Sequence, residues 1–315
     1  MASGQETKVS RVFAVVNAHS GQADPERVIQ TLRTHLAARD QDCEIHETRE
    51  HEDLPSIVRE AVRGGFDTIV AAGGDGTVSA VANGVVGSDA RLAILPLGTT
   101  NVLARELGVP LDLEAACALI SGPNGTAHID GMKVGAFCYF TQVGVGVDAL
   151  MIHDTSEVDK RRMGALAYVW TMTKNLVGYK PRRMTITADD RSVRTRSLQV
   201  LLANCGALGV SGLRWGPDVQ VDDGRIDVCI FRPRSPLDYP RIAWNFLVGR
   251  HGQETRLTYL KASRSVLVQA DEPLPVQGDG EIITQTPLTV EIIPRAVRVV
   301  VPAKIDDRQG QSRTR

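Results

Sequence analysis

Apolar residues along the first 135 positions arrive in two alternating rhythms. Continuous runs such as Arg11–Asn17 (RVFAVVN) and Arg91–Pro96 (RLAILP) predict strands buried on both faces, because a half-exposed strand would alternate apolar with polar. Between the runs the spacing is helical: Asp24–Arg39 places Val28, Ile29, Leu32, Leu36 and Ala37 on one face. Asp42–Thr48 predicts a second strand and Leu54–Arg63 a helix, and Thr68–Ala72 is a third apolar strand. Thr77–Val86 continues as a small-residue helix, and Asn101–Leu107 and Leu113–Ile120 are helical as well. Strands and helices in strict alternation imply a parallel sheet covered on both faces, a three-layer α/β unit.

The texture changes after His128. Short β-patterned runs recur at Ala136–Val143, Met184–Ala188, Ser197–Ala203, Arg225–Phe231, Ser265–Ala270 and Leu288–Pro294. Turn signals ADDR, DDGR and GDGE separate them, which predicts an antiparallel sandwich. One amphipathic helix interrupts the series at Gly164–Gly178, with Leu166, Val169, Trp170, Thr173, Leu176 and Val177 on its apolar face. A second is expected over Pro236–Val248. The expected division is an α/β unit over 1–135, a β-rich unit over 136–300, and a polar tail over 301–315 that packs back on the first unit. A cleft between two such units is a favoured place for a ligand.

Composition narrows the function classes. A formal net charge of −1 gives no global electrostatic reason to bind nucleic acid or an acidic membrane. The five cysteines, Cys43, Cys117, Cys138, Cys205 and Cys229, lack CxxC spacing, so zinc is not expected and reduced, buried thiols are. The opening MASGQETKVSR has no apolar stretch of the signal-peptide kind. No uninterrupted apolar run approaches the roughly 20 residues a spanning helix needs. The expected location is therefore the cytoplasm, with at most peripheral contact at the inner face of a membrane.

Candidate chemistry concentrates in a few loops. The segment Asp67–Thr77 (DTIVAAGGDGT) runs a strand into two glycines, an aspartate, a third glycine and a threonine. Glycines at a strand end let the backbone approach a ligand and aim N–H groups at phosphate. Asp75 among phosphates calls for a metal or a transferable proton nearby. A second loop, Leu95–Pro110 (LPLGTTNVLARELGVP), places Gly98, Thr99, Thr100 and Asn101 before a helix, where they serve as caps or as an anion site. Successive α/β crossovers put both loops at the carboxyl edge of one sheet, where open α/β folds bind ligands. GDGE at Gly278–Glu281 and VDDGR at Val221–Arg225 also read plainly as hairpin turns. GVGVDA at Gly144–Ala149 has the glycine spacing of a dinucleotide site but neither the following helix nor the distal acid. No GxxxxGK[ST] occurs. Basic residues at Lys160–Arg162 and Lys180–Arg183 flank the Gly164–Gly178 helix, as a solvated end or as a patch for anionic headgroups.

Taken in order, GGDGT, PLGTTN, VVNAHSG at Val15–Gly21, HIDGMKVGAFCYFTQVGVGVDA at His128–Ala149, GPDVQVDDGRIDV at Gly216–Val228 and GDGE resemble the diacylglycerol kinase catalytic domain family, including the bacterial YegS-like lipid kinases. The resemblance runs nearly the whole chain and implies an α/β nucleotide-binding domain joined to a β-rich sandwich, the NAD kinase/diacylglycerol kinase-like fold. It implies an ATP-dependent kinase acting on a lipid hydroxyl, diacylglycerol first, with sphingoid bases, ceramide or phosphatidylglycerol as alternatives. NAD kinase and an inactive nucleotide- or lipid-binding regulator are the rivals. By the same resemblance ATP is held by Thr48, Gly73, Gly74, Asp75, Gly76, Thr77, Val78, Ser79, Gly98, Thr99 and Asn101. Ser20 and Gly21 align with a phosphate-side loop in which Ala18 replaces the usual proline. Catalysis is assigned to Glu281 as general base, to Asp279 as its support or as an aid to magnesium, and to Asp75. A structural Mg2+ is assigned to the side chain of Asp223, with Asp222 as alternative, and to the backbone carbonyls of Gln220 and Arg225. Val102 stands where many members carry aspartate. The partners implied are ATP, a diacylglycerol-like membrane lipid, a peripheral membrane contact and a homodimer, with no nucleic acid.

Overall fold

A computed structural model describes residues 10–17, 24–147, 181–207, 214–216, 218–235, 238–247, 250 and 254–303. The expected helix over Gly164–Gly178, the basic cluster at Lys160–Arg162, Ser20, Gly21 and the tail from Lys304 lie outside the described residues.

The first unit follows the alternation of the sequence. Strands β1 (Arg11–Val16), β2 (Asp42–Glu47), β3 (Thr68–Gly73) and β4 (Arg91–Pro96) are parallel in the order β2-β1-β3-β4. β1, β3 and β4 are buried on both faces, as their continuous apolar runs require. Helices α1 (Pro25–Ala37) and α5 (Leu113–Ser121) cover one face, where Val28, Leu32, Leu36 and Ala116 meet Val12, Ala14 and Val70. Helices α2 (Leu54–Arg63) and α3 (Asp75–Val85) cover the other, where Val58, Val78 and Val81 meet Phe13, Ile69 and Leu92. Asp24, Asp53 and Asp112 each cap a helix N-terminus through the side chain, which fixes where α1, α2 and α5 begin. The short α4 (Val102–Glu106) follows β4.

The second unit is a sandwich. Six antiparallel strands form one sheet in the order β12-β11-β10-β7-β14-β15, using β7 (Gln142–Gly146), β10 (Gln199–Ala203), β11 (Ile226–Phe231), β12 (Leu257–Ala262), β14 (Pro275–Gly278) and β15 (Glu281–Gln285). The facing sheet continues the parallel sheet of the first unit through β16 (Leu288–Val301), β13 (Ser265–Ala270), β8 (Arg182–Ala188) and β9 (Arg191–Ser197). Met132, Val145, Ile186, Leu202, Val228, Val268 and Val290 fill the space between the two sheets. The remaining helix among the described residues, α6 (Asp238–Leu247), is pinned where Arg241 and Asn245 donate to the buried Glu254 carboxylate.

The division at 135/136 is blurred by two strands. β5 (Gly125–Val134) and the 14-residue β16 pair antiparallel along most of their length, from Lys133↔Glu291 to Gly125↔Val301. β16 also pairs with β13 near its start and, in parallel, with β4 at Arg298↔Arg91. The strand expected to stop at Pro294 bends there and continues into the sheet of the first unit. Four of the five cysteines are buried and all five are free thiols. No helix among the described residues is long and apolar enough to cross a membrane.

Candidate active site between the glycine loops and an acidic hairpin

The four parallel strands finish together. Val16 stands beside Glu47 and Ala72, and Gly73 beside Pro96, so the loops after β2, β3 and β4 open on one edge. Gly74 is the extended N-cap of α3, and Asp75, Gly76 and Thr77 form its first turn. Amides of a first helical turn have no partner within the helix and carry the positive end of its dipole. The second loop packs directly on the first: a β-carbon at Gly98 would lie 2.7 Å from the Gly74 Cα. Only glycine permits that approach. Asn101, at φ +46°, closes its own loop, donating to the Gly98 carbonyl (2.7 Å) while its Oδ1 accepts the Gly98 N–H (3.0 Å).

Asp75 joins the two loops. Its Oδ1 accepts the Val102 N–H at 2.7 Å and its Oδ2 accepts the Thr100 hydroxyl. The aspartate of the first loop therefore caps the helix of the second and fastens the two together. Thr77 is held by the Asn17 amide (2.9 Å), and Thr48 is half-buried just past β2 with its N–H on the Val16 carbonyl (3.0 Å). Thr99 is exposed. Val78 is buried in the core, so only its backbone faces the loop. The Val102 side chain packs against that core as well.

Glu281 arrives from the other unit. It opens β15, is exposed, and accepts no hydrogen bond among the described residues. A β-carbon on Gly76 would lie 3.5 Å from its Oε1, so the carboxylate stands over the first turn of α3. Asp279, at φ +47° in the same hairpin, is fully engaged. It accepts the N–H groups of Phe140 (3.0 Å), Thr141 (2.9 Å) and Gln142 (3.1 Å) and the hydroxyls of Thr141 (2.6 Å) and Ser79 (2.9 Å). Ser79, expected at the nucleotide, thus spends its hydroxyl on this contact, and Asp279 positions the hairpin.

Three positioning residues were not singled out from sequence. Asn83 of α3 donates to the Cys138 carbonyl and accepts the Cys138 N–H, both at 2.8 Å, so α3 is fastened to β6 (Phe137–Tyr139). Glu106, at the end of α4, takes a bidentate fork from Arg214 (2.9 and 3.3 Å) and the Ala207 N–H (2.8 Å), tying the second loop to the sandwich. Asp130 accepts the N–H groups of Gly224 (2.6 Å) and Arg295 (2.7 Å) at the bend of β16. A lone amide inside an apolar helix at Asn83 and a lone carboxylate at Glu106 are the trace these left in the sequence. Cys205, buried behind the site, donates to the Phe140 carbonyl (3.3 Å), and burial drives its thiol well above the usual range, so it stays protonated.

The expected metal turn is fastened to β5, where Gly224 donates to Asp130 and Val221 packs in the core with Ile129. Asp223 accepts the Arg225 N–H through Oδ1 (3.1 Å) and its Oδ2 has no hydrogen bond among the described residues. One carboxylate oxygen plus the carbonyls of Gln220 and Arg225 make a set of hard oxygen donors, which fits magnesium.

Residues 11–134 match the family model of the diacylglycerol kinase catalytic domain, and 141–301 match that of the YegS C-terminal NAD kinase beta sandwich-like domain. A curated relative from Pseudomonas aeruginosa (strain UCBPP-PA14), named "Probable lipid kinase YegS-like", is 33% identical, the alignment covering 90% of this chain and 93% of that one. The diacylglycerol kinase of Bacillus subtilis (strain 168) is 28% identical, covering 93% and 97%. The crystal structure of a diacylglycerol kinase from Bacillus anthracis str. Sterne aligns with a TM-score of 0.73 at 23% identity, covering 94% of this chain and 98% of that one.

Proposed function

Because the chain belongs to the diacylglycerol kinase family of lipid kinases, we propose that it transfers the γ-phosphoryl group of ATP to a diacylglycerol hydroxyl, giving phosphatidic acid and ADP. The observation that carries this reading is the carboxylate of Glu281 standing over the first turn of α3, with no hydrogen bond to hold it among the described residues. Phosphates drawn to the amides of Gly76 and Thr77 come to lie beside that carboxylate.

The acceptor oxygen attacks the γ-phosphorus, its proton passes to Glu281, and ADP leaves in line. Gly76 and Thr77 present first-turn backbone N–H groups to the nucleotide, the Gly98–Thr99 loop, whose Gly98 N–H is held by Asn101, packs beside them, and Thr48 borders the site. Asp75 holds the two loops together and adds the negative charge that favours a cation on the phosphates. A magnesium ion carried with the nucleotide supplies neutralisation of the transferring phosphates. A second, structural magnesium is assigned to Asp223 with the carbonyls of Gln220 and Arg225. Diacylglycerol lies in a bilayer, so the active enzyme works at the inner membrane surface. Contact there is peripheral.

The test is incubation with labelled ATP, magnesium and a total lipid extract, followed by identification of the labelled product. Labelled phosphatidic acid is expected. Label on a sphingoid base, ceramide or phosphatidylglycerol would reassign the acceptor, and label on NAD alone would overturn the lipid reading.

A further inference from the structure

Tyr139 is an anchored side chain near Glu281 whose hydroxyl makes no hydrogen bond among the described residues. It stands at the end of β6 between two buried neighbours, Cys138 within the strand and Phe140 just after it, so its ring turns to the opposite side. Both neighbours are clamped: Cys138 through N–H and carbonyl by Asn83, and Phe140 through its N–H by Asp279. The ring lies against Gly278, where a β-carbon would meet Cδ1 and Cε1 at 2.5 Å. Gly278 is the residue directly opposite Glu281 in the β14–β15 ladder, and opposite residues project from the same face. Ring and carboxylate therefore share one face of the hairpin, in front of the glycine loop.

The apolar part of Tyr139 is explained, since the ring rests against the core between the two sheets. Phenylalanine would fill the same space. The hydroxyl is not explained, because it makes no hydrogen bond among the described residues, and a half-buried tyrosine ordinarily finds one. Burial, with Asp279 and Glu281 close by, pushes the phenol up to about 12. It stays neutral and able to donate at any working pH.

We propose that Tyr139 is a substrate-contacting residue on the acceptor side, its hydroxyl donating a hydrogen bond to a head-group oxygen of the lipid whose hydroxyl Glu281 deprotonates. The inference rests on the lipid kinase reading and deepens it. The chemistry it selects is an acceptor with a second oxygen beside the reacting hydroxyl, as the ester carbonyl of a diacylglycerol provides. The nucleotide side is not involved.

The experiment is steady-state kinetics of wild type and Tyr139→Phe on diacylglycerol in mixed micelles, varying lipid and ATP separately, with melting temperatures measured alongside. Loss of one neutral hydrogen bond corresponds to a roughly three- to tenfold fall in kcat/KM for lipid. The KM for ATP and the melting temperature should stay unchanged. Unchanged kinetics toward lipid would overturn the proposal, as would lipid and ATP parameters falling together with the melting temperature, the mark of a purely structural role. A wild-type protein silent toward every lipid would instead remove the kinase reading, and this inference with it.

Discussion

Asp279 and Glu281 stand two residues apart in one hairpin, yet the first spends both oxygens on five hydrogen bonds while the second accepts none among the described residues. Their replacements should fail in different ways. Glu281→Gln removes a proton acceptor and no internal contact, so turnover should drop about 10²- to 10⁴-fold with the melting temperature unmoved. Asp279→Asn leaves amide donors facing N–H groups, and a stability loss of roughly 2–4 kcal/mol should appear together with the loss of activity. Thermal melts read beside kinetics separate the two cases. An inverse result, a stable Asp279→Asn with a destabilised Glu281→Gln, would exchange their roles. The motif GDGE could not divide these jobs, because both carboxylates occur in the same turn and the amides that claim Asp279 come from residues 140–142. Asp75 shows the same limit. Its place in a glycine loop was legible, but its hold on the Val102 N–H depends on a contact between two loops.

Single elements were read best where one kind of neighbour surrounds them. The four parallel strands and α1, α2 and α5 lie in layers whose burial follows the apolar spacing directly. β9 (RSVRTRS) went unrecognised because it is an edge strand with arginines outward, and β5 because its glycines and polar residues mask its pairing with β16. Turns between elements also carry measurable charge linkage. Asp189, between β8 and β9, accepts the N–H groups of Ser263, Arg264 and Ser265, and these hold its carboxyl down to about 2. A depressed carboxyl stabilises the fold above its unfolded value near 4, and that contribution fades as pH falls toward 2. Acid titration of stability should therefore show a limb between about pH 4 and pH 2 that flattens in Asp189→Asn. A limb of equal depth in the variant would refute the assignment.

At the scale of the molecule, the two units are less separable than their sequence textures suggest. The nucleotide-type texture ends near 135, but the sheet there is completed by β16, which pairs with β4 and β5 at residues 297–301. Pro294 hid this, since proline inside a run usually marks a strand's end. A fragment of residues 1–135 leaves β4 and β5 with unpaired edges, so it should be insoluble or aggregate, as size-exclusion chromatography would show. Co-expression with residues 136–315 should recover the soluble complex. A monodisperse, folded 1–135 fragment would show that β16 is dispensable to the first unit.

β16 also imposes an order in time. A chain is made from its N-terminus, and β16, which closes the first sheet, leaves the ribosome after every other strand described. Until it arrives, the glycine loops hang from a sheet with an open flank. Partners far apart in sequence meet slowly, because a long loop must be closed before the pairing is rewarded. A nascent chain halted anywhere before Val297 should thus leave β4 and β5 unpaired and the first unit open to protease, so the setting of the glycine loops waits on a strand made long after them.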